Sequence, residues 1–400
     1  MDDHQTMRPF EGIRVLDITH VLAAPFATYQ LAVFGADVIK IEHPTEPDQT
    51  RIDGSDPALS ADRIGTHFII QNGGKRSLTL DLKTEGGREV LRRLVPTADV
   101  LVENFRPGAM KALGLGYDDL KALNPRIIYA SMSAFGQDGP RGGQTGYDQV
   151  IQAVSGLMMV NGTADMVPMK VGTPAVDYAT GAMGAFALAT ALLQRERTGL
   201  GQYVDLSMLD TAMMLLGAHL TNFSRSGREP KAGGNHHEFA TVGLYDTAEG
   251  KVQIAAINMR QQKRFWTLLG HPELIKNSNE ERRADAAREL EILLPILRTK
   301  TAREWEDWFQ SNHIPAARVW TIPETLAHPQ FESRDILHRF VDEPGIPGTI
   351  TVPKAAFKLD HGGARIDRPP PRMGEHTEAL LEELGYSADE IGALRDTGAI

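Results

Sequence analysis

Short apolar runs alternate with longer helical patterns between residues 13 and 131. "IRVLDI" (13–18) is followed by "AAPFATYQLAVFG" (23–35), in which Pro25 suits a first helical turn and Gly35 a C-terminal cap. "DVIKIE" (37–42) and "SLTLDL" (77–82) come next, the latter with Leu78, Leu80 and Leu82 on one face. "EGGREVLRRLV" (85–95), "DVLVE" (99–103) and "RIIYAS" (126–131) continue the alternation. Units of this spacing predict an α/β fold, a Rossmann-like parallel sheet with helices on its faces and right-handed crossovers. Ligands of such sheets bind beyond the carboxyl ends of the strands, which directs attention to "THVLAAP", "HPTEPDQTR", "NFRPGAM" and "MSAFGQDGPRGGQTGYD". None of these loops has the G-x-G-x-x-G spacing, which argues against a dinucleotide cofactor.

The texture changes near residue 225, where "SRSGREPKAGGNHHEF" precedes a strand pair, "VGLYDT" and "KVQIAAI". Residues 261–312 are charged and helical, and "VDEPGIPGTITVP" and "GEHTEALLEELGY" predict a short strand region and a closing helix. The expected organisation is a discontinuous large domain (1–205 and 335–400), a smaller α+β domain (226–314), and connecting segments at 206–225 and 315–334.

A chain of 400 residues can bury a substantial core. Its net charge of -10 and the lack of a basic stripe argue against nucleic acid. The absence of cysteine removes disulfides, thiolate nucleophiles and Cys-ligated metals, and fits a cytoplasmic enzyme. The polar start "MDDHQTMRPFEG" and the lack of a run of about 18 apolar residues predict neither a signal peptide nor a membrane span.

One acid stands out. Asp177 lies just ahead of "GAMGAFALATALL" (181–193), a helix pattern apolar almost all round. Asp is a favoured N-cap residue, so capping alone is one role for it. Gly181 and Gly184, however, each cost roughly 1 kcal/mol of helix propensity, which points to close approach by another backbone or a ligand. Asp177 would then sit at a buried junction, where a carboxylate must be hydrogen-bonded or used.

The ordered set "GIRVLDITHVLAAP", "LAVFGADVIKIE", "NGGKRSLTLDLKTEGG", "DVLVENFRPGAM", "GYDDLKALNPRIIYASMSAFGQDGP", "GYDQVIQAVSG", "TGLGQYVDLSMLD" and "GEHTEALLEELGY" resembles the family III CoA-transferases nearly end to end. These are relatives of formyl-CoA and carnitine CoA-transferases and share their fold with the methylacyl-CoA racemases. The resemblance implies an interlocked, ring-shaped homodimer with active sites where large and small domains meet. It implies that Asp177 is the nucleophile that carries CoA between an acyl-CoA and a small carboxylic acid, with the CoA thioester as substrate and neither metal nor other cofactor. His20, Val21 and Asn104 are then expected to line the site, and Lys75, Arg76 and Arg106 to contact phosphate or adenine. A carboxylate suits the chemistry: with an ordinary pKa of about 3.9 it is ionised at neutral pH and needs no base to activate it. Candidate oxyanion donors are the backbone of "DGPRGG" (138–143) and Gly181.

Two rivals share the fold. A racemase needs an acid/base pair, yet Tyr147 stands where racemases have a histidine base, and an unperturbed tyrosine, with pKa about 10, serves poorly at neutral pH. Tyr147 instead lines the acyl pocket, bonds an intermediate, or is a core tyrosine. A non-catalytic acyl-CoA binding protein is the second rival. Leu22, His43 and Ala112 depart from the formyl-CoA transferase pattern and no "GGGGQ" loop occurs near 235–262, which argues against formate and oxalate. His236 and His237 have no metal-site companions; with Arg225, Arg228 or Arg260 they could meet the carboxylate of an acceptor such as succinate.

Overall fold

The structure, a computed structural model, describes residues 7–400; the first six positions of the polar start read above lie outside the described residues. The chain forms two compact units. The first takes the described residues up to Leu157, Val171–Arg225 and Gln330–Ile400; the second takes Met158–Lys170 and Ser226–Pro329.

Six parallel strands build the first unit: β1 (Arg14–Ile18), β2 (Asp37–Glu42), β3 (Arg76–Thr79), β4 (Val100–Glu103), β5 (Ile128–Ser133) and β6 (Tyr203–Ser207). Their order is β3-β2-β1-β4-β5-β6, so the chain reverses direction across the sheet between β1 and β4. That reversal opens a crevice at the carboxyl ends of the two strands. In register, Leu16 of β1 pairs with Ile39 of β2 and Leu101 of β4. Because helices cover both faces, β1 and β4 are buried along almost their whole length. Leu16, Ile39, Leu78 and Leu101 meet Val90, Leu91, Leu380 and Leu381 on one face. Val15, Val38, Val100 and Ile128 meet Ala27, Leu31, Leu188 and Ala191 on the other.

The pattern expected as a strand over 77–82 is strand only to Thr79. Leu80 and Leu82 stay buried, but Asp81 donates its N–H to the carbonyl of Ala399 at the chain end instead of to a neighbouring strand. The "RIIYAS" strand begins at Ile128 and runs on to Ser133.

The helix Ala175–Thr198 is long and apolar enough to cross a membrane by composition, with mean hydropathy 1.3, yet it packs along the helix Ala23–Val33. Its glycines make this possible. A Cβ on Gly181 would stand 2.5 Å from the carbonyl oxygen of Ala23, and one on Gly184 3.0 Å from Cβ of Ala27. The helix-propensity cost seen in the sequence therefore permits a close crossing of two backbones.

Strands β7 (Val242–Asp246), β8 (Lys251–Ala255) and β9 (Ala316–Arg318) form an antiparallel sheet in the second unit, in that order. Its core joins Phe265, Trp266, Leu293, Trp305 and Phe309. Strand β9 occupies part of the segment expected to be a connection, and residues 158–170, expected in the large domain, cluster here. In the first unit β10 (Leu337–Glu343) and β11 (Ile346–Pro353) pair as a hairpin.

Candidate active site

The loop after β1 turns sharply at Val21, whose φ of 71° lies in the left-handed region. A β-branched residue there stores roughly 1–3 kcal/mol of strain, which surrounding structure must hold. Four side chains do so, three of them buried and that of Asn104 half-buried. Lys40 Nζ donates to the carbonyl of Thr19 at 2.6 Å. Asn104 accepts the N–H of His20 at 2.9 Å and donates to its carbonyl at 2.8 Å. Asp48 accepts the N–H of Val21 on both oxygens at 3.2 Å, and Gln71 donates to the Val21 carbonyl. Beyond this turn the helix Ala23–Val33 starts with no side-chain cap, leaving amide groups that favour negative charge.

A cavity of about 570 Å³ opens here, and its wall includes His20, Val21, Asn104, Arg106, Tyr147 and Asp177. Six of the eight side chains singled out in the sequence thus converge. Arg106 is exposed on this wall, available to an anionic ligand. Burial, reinforced by Lys40, holds His20 below its ordinary pKa, so its ring is neutral at pH 7. Tyr147 is 58% exposed and precedes the helix Asp148–Ser155, which excludes the core-tyrosine reading.

Lys75 and Arg76 are placed elsewhere, a correction to their expected role. Lys75 is fully buried and donates to Asp17 at 2.8 Å, to Thr28 at 2.9 Å and to the carbonyl of Pro25 at 3.0 Å. Burial lowers its pKa to about 8, against the pull of Asp17. Arg76 pairs with Asp37 and Glu383, both at 2.6 Å. Neither lines the cavity, and each pairs with a carboxylate of its own fold.

Asp177 is the third residue of its helix rather than the cap. The capping carboxylate is Asp148, missed in the sequence: its Oδ2 accepts the N–H of Val176 at 2.8 Å and of Asp177 at 3.2 Å. Its other oxygen accepts from Gln152. The half-buried carboxylate of Asp177 has no hydrogen-bond donor among the described residues, and burial together with the charge of Asp148 pushes its pKa up to about 7. A poorly solvated, more basic carboxylate is a better nucleophile than a free aspartate. The one signal that could have marked Asp148 is its position in "GYDQ", four residues before Gln152 on a helix face.

Neither "DGPRGG" nor Gly181 lines the cavity; Gly181 is taken up by packing on Ala23. Thr180, one turn after Asp177, is on the wall, fully buried, with a hydroxyl that has no partner among the described residues. Such a hydroxyl keeps unused hydrogen-bonding capacity one turn from Asp177.

A second cavity of about 210 Å³ shares His20, Glu46 and Phe105 with the first. Ile18, Ile41, Leu80 and Leu82 give it apolar walls, with Glu42, His43, Glu46, Asp81 and Lys83 adding polar groups. Lys83 stands in the "SLTLDLK" stretch only eight positions beyond Lys75, but its side chain is 74% exposed. His236 and His237 lie in the second unit and are exposed.

The family model described as CoA-transferase family III matches residues 10–377. Succinate–glutarate CoA-transferase of Agrobacterium fabrum is 36% identical over 94% of this chain and 96% of its own. Human succinyl-CoA:glutarate CoA-transferase is 32% identical over 100% of this chain and 91% of its own. The crystal structure of a CAIB/BAIF family protein from Brucella suis superposes with a TM-score of 0.81 at 33% identity, covering 95% of this chain and 100% of that one. With a cavity at the sheet's reversal point, an unpaired aspartate on its wall and a family match over nearly the whole chain, the protein belongs to CoA-transferase family III.

Proposed function

We propose that this enzyme moves CoA from an acyl-CoA to a small dicarboxylate through covalent intermediates on Asp177. The observation that carries the reading is the unpaired Asp177 carboxylate, pushed up to about pKa 7, on the wall of a 570 Å³ cavity. Its oxygen attacks the thioester carbonyl, the C–S bond breaks, and CoA departs as thiolate with the electron pair. The thiolate then attacks the aspartyl carbonyl of the mixed anhydride, releasing the donor acid as carboxylate and leaving an aspartyl-CoA thioester. The acceptor carboxylate displaces CoA thiolate again, and thiolate attack on the second anhydride yields the new acyl-CoA and free Asp177. Each addition places charge on an oxygen that the Thr180 hydroxyl and the uncapped start at Ala23 are suited to meet.

The smaller cavity takes the nucleotide end of CoA, its apolar walls against adenine and Lys83 near phosphate. Arg106 holds a second phosphate or the pantetheine arm. The names of the glutarate-using relatives support a dicarboxylate such as succinate as donor acid or acceptor. A homodimer, the interlocked ring of the family, is supported by apolar side chains left open on neighbouring helices, with Phe186 64% and Met214 66% exposed. The lack of cysteine favours a cytoplasmic location.

The test is to incubate the protein with succinyl-CoA and a panel of carboxylic acids, follow new acyl-CoAs by mass spectrometry, and trap the aspartyl thioester with borohydride or hydroxylamine. New acyl-CoA and a trapped adduct at Asp177 are expected. Exchange of α-deuterium without CoA transfer would overturn the transferase in favour of the racemase, and binding without either reaction would favour a non-catalytic protein.

A further inference from the structure

Beneath the cavity lies a chain of buried charges that the transfer chemistry does not touch. Asp48 bonds Lys40 at 3.1 Å as well as the N–H and hydroxyl of Thr50, at 3.0 and 2.8 Å. Glu42 accepts the N–H of Asp48 at 3.2 Å and both arms of Arg51, at 2.8 and 2.7 Å. Asp48, Lys40, Glu42 and Arg51 are all essentially inaccessible to water. Burying so many charges is rarely a route to stability in itself, and a role in fixing one conformation is the better-attested use.

The conformation held is the turn at Val21. A valine resists a φ of 71°, and among the described residues its N–H reaches only the two oxygens of Asp48. Thr19, on the other side of His20, is tied to the Lys40 that pairs with Asp48. His20, Val21, Leu22 and Ala23 all line the cavity, so any relaxation of the turn moves its wall.

We infer that Asp48 is a positioning residue for CoA recognition, one that holds Val21 in its left-handed conformation and so sets the cavity wall before substrate arrives. Lys40 keeps Asp48 aimed at the Val21 amide, and Gln71 holds the following peptide by donating to the Val21 carbonyl. A wall set in advance spares the ligand the cost of ordering it. The inference rests on the functional reading above for the identity of the ligand, CoA.

The test is a double-mutant cycle between Asp48→Asn and Val21→Gly, read by calorimetric titration with coenzyme A and by steady-state kinetics. Asparagine keeps the volume but turns one oxygen into a donor facing an N–H and an ammonium. In the Val21 background, D48N is expected to weaken CoA about tenfold and raise the KM for acyl-CoA by the same factor, with kcat within about threefold. With glycine at 21 the left-handed turn needs no restraint, and D48N is expected to cost less than about threefold. Should D48N not fold, Gln71→Met, read in the same two backgrounds, is expected to show the same dependence. An equal loss in both backgrounds, or a folded D48N protein with wild-type affinity, would overturn the inference while leaving the transferase reading intact. A wild-type protein that fails to bind CoA would overturn both.

Discussion

Oδ2 of Asp148 accepts the amide of Asp177 at 3.2 Å, so the carboxylate that caps the helix is a different one from the carboxylate on the cavity wall. This division leaves the Asp177 side chain unpaired. It also puts a second negative charge close enough to raise the pKa of Asp177, after burial the main further cause. The price is a helix start crowded with charge, and the gain is a more basic carboxylate on the cavity wall.

Activity should therefore depend on pH through Asp177. Attack needs the carboxylate, so kcat/KM is expected to fall about tenfold per pH unit below a limb near 7, the value to which Asp177 is pushed. Asp148→Asn keeps a capping oxygen and removes the charge. The limb is expected to move to lower pH by about one unit, measured as kcat/KM against pH; an unmoved limb would show that Asp148 does not tune Asp177.

Asp177→Asn should abolish transfer and trapping while stabilising the fold at neutral pH. The sign follows from linkage: the folded pKa of about 7 exceeds the ordinary 3.8, so the folded state binds the proton more tightly. Stability from this group is then present below pH 4 and lost as pH rises through 7. The asparagine variant is expected to gain on the order of 2–4 kcal/mol above pH 8 and almost nothing at pH 4, seen as a rise in Tm that vanishes in acid.

Thr180→Val preserves shape and deletes the unpartnered hydroxyl on the cavity wall. If that hydroxyl meets the charged oxygen of an intermediate, kcat should fall by about tenfold or more with little change in KM. A kcat equal to wild type would assign Thr180 to packing alone.

Gly181→Ala should be destabilising despite alanine's helix preference. Its Cβ would stand 2.5 Å from the carbonyl of Ala23 and 2.8 Å from the ring of Phe26. Overpacking of about 1–3 kcal/mol outweighs the roughly 1 kcal/mol gained in propensity. Chemical denaturation should show the loss, and because Ala23 borders the cavity, kcat/KM should drop as well.

Lys75 and Arg106, alike in the sequence as basic loop residues, should separate on mutation. Lys75→Met strands the buried Asp17 charge and is expected to cost about 3–5 kcal/mol of stability, with the KM of the folded fraction unchanged. Arg106→Ala should leave Tm within a degree or two and raise the KM for acyl-CoA about tenfold. A large KM effect at Lys75 would contradict its placement.

The sequence alone determined the alternation of strands and helices, since that periodicity is set by near neighbours and survives in a one-dimensional string, and its ordered motifs pointed to the family that the comparisons show. The glycines behind Asp177 were legible for the same reason: an interior helix glycine announces a close approach even before its partner is known. Lys75 against Lys83 was not legible. Both are lone lysines within one short segment, and which one is buried depends on whether Asp17, fifty-eight positions from Lys75, needs its charge. Likewise nothing local marks Val21 for a positive φ, a conformation valine avoids on its own. Asp48, Gln71, Lys40 and Asn104 impose it, the last through His20 eighty-four positions away. Only the tertiary structure could decide burial, ion-pair partners and the capping role of Asp148, because each is a balance struck between residues the chain brings together last.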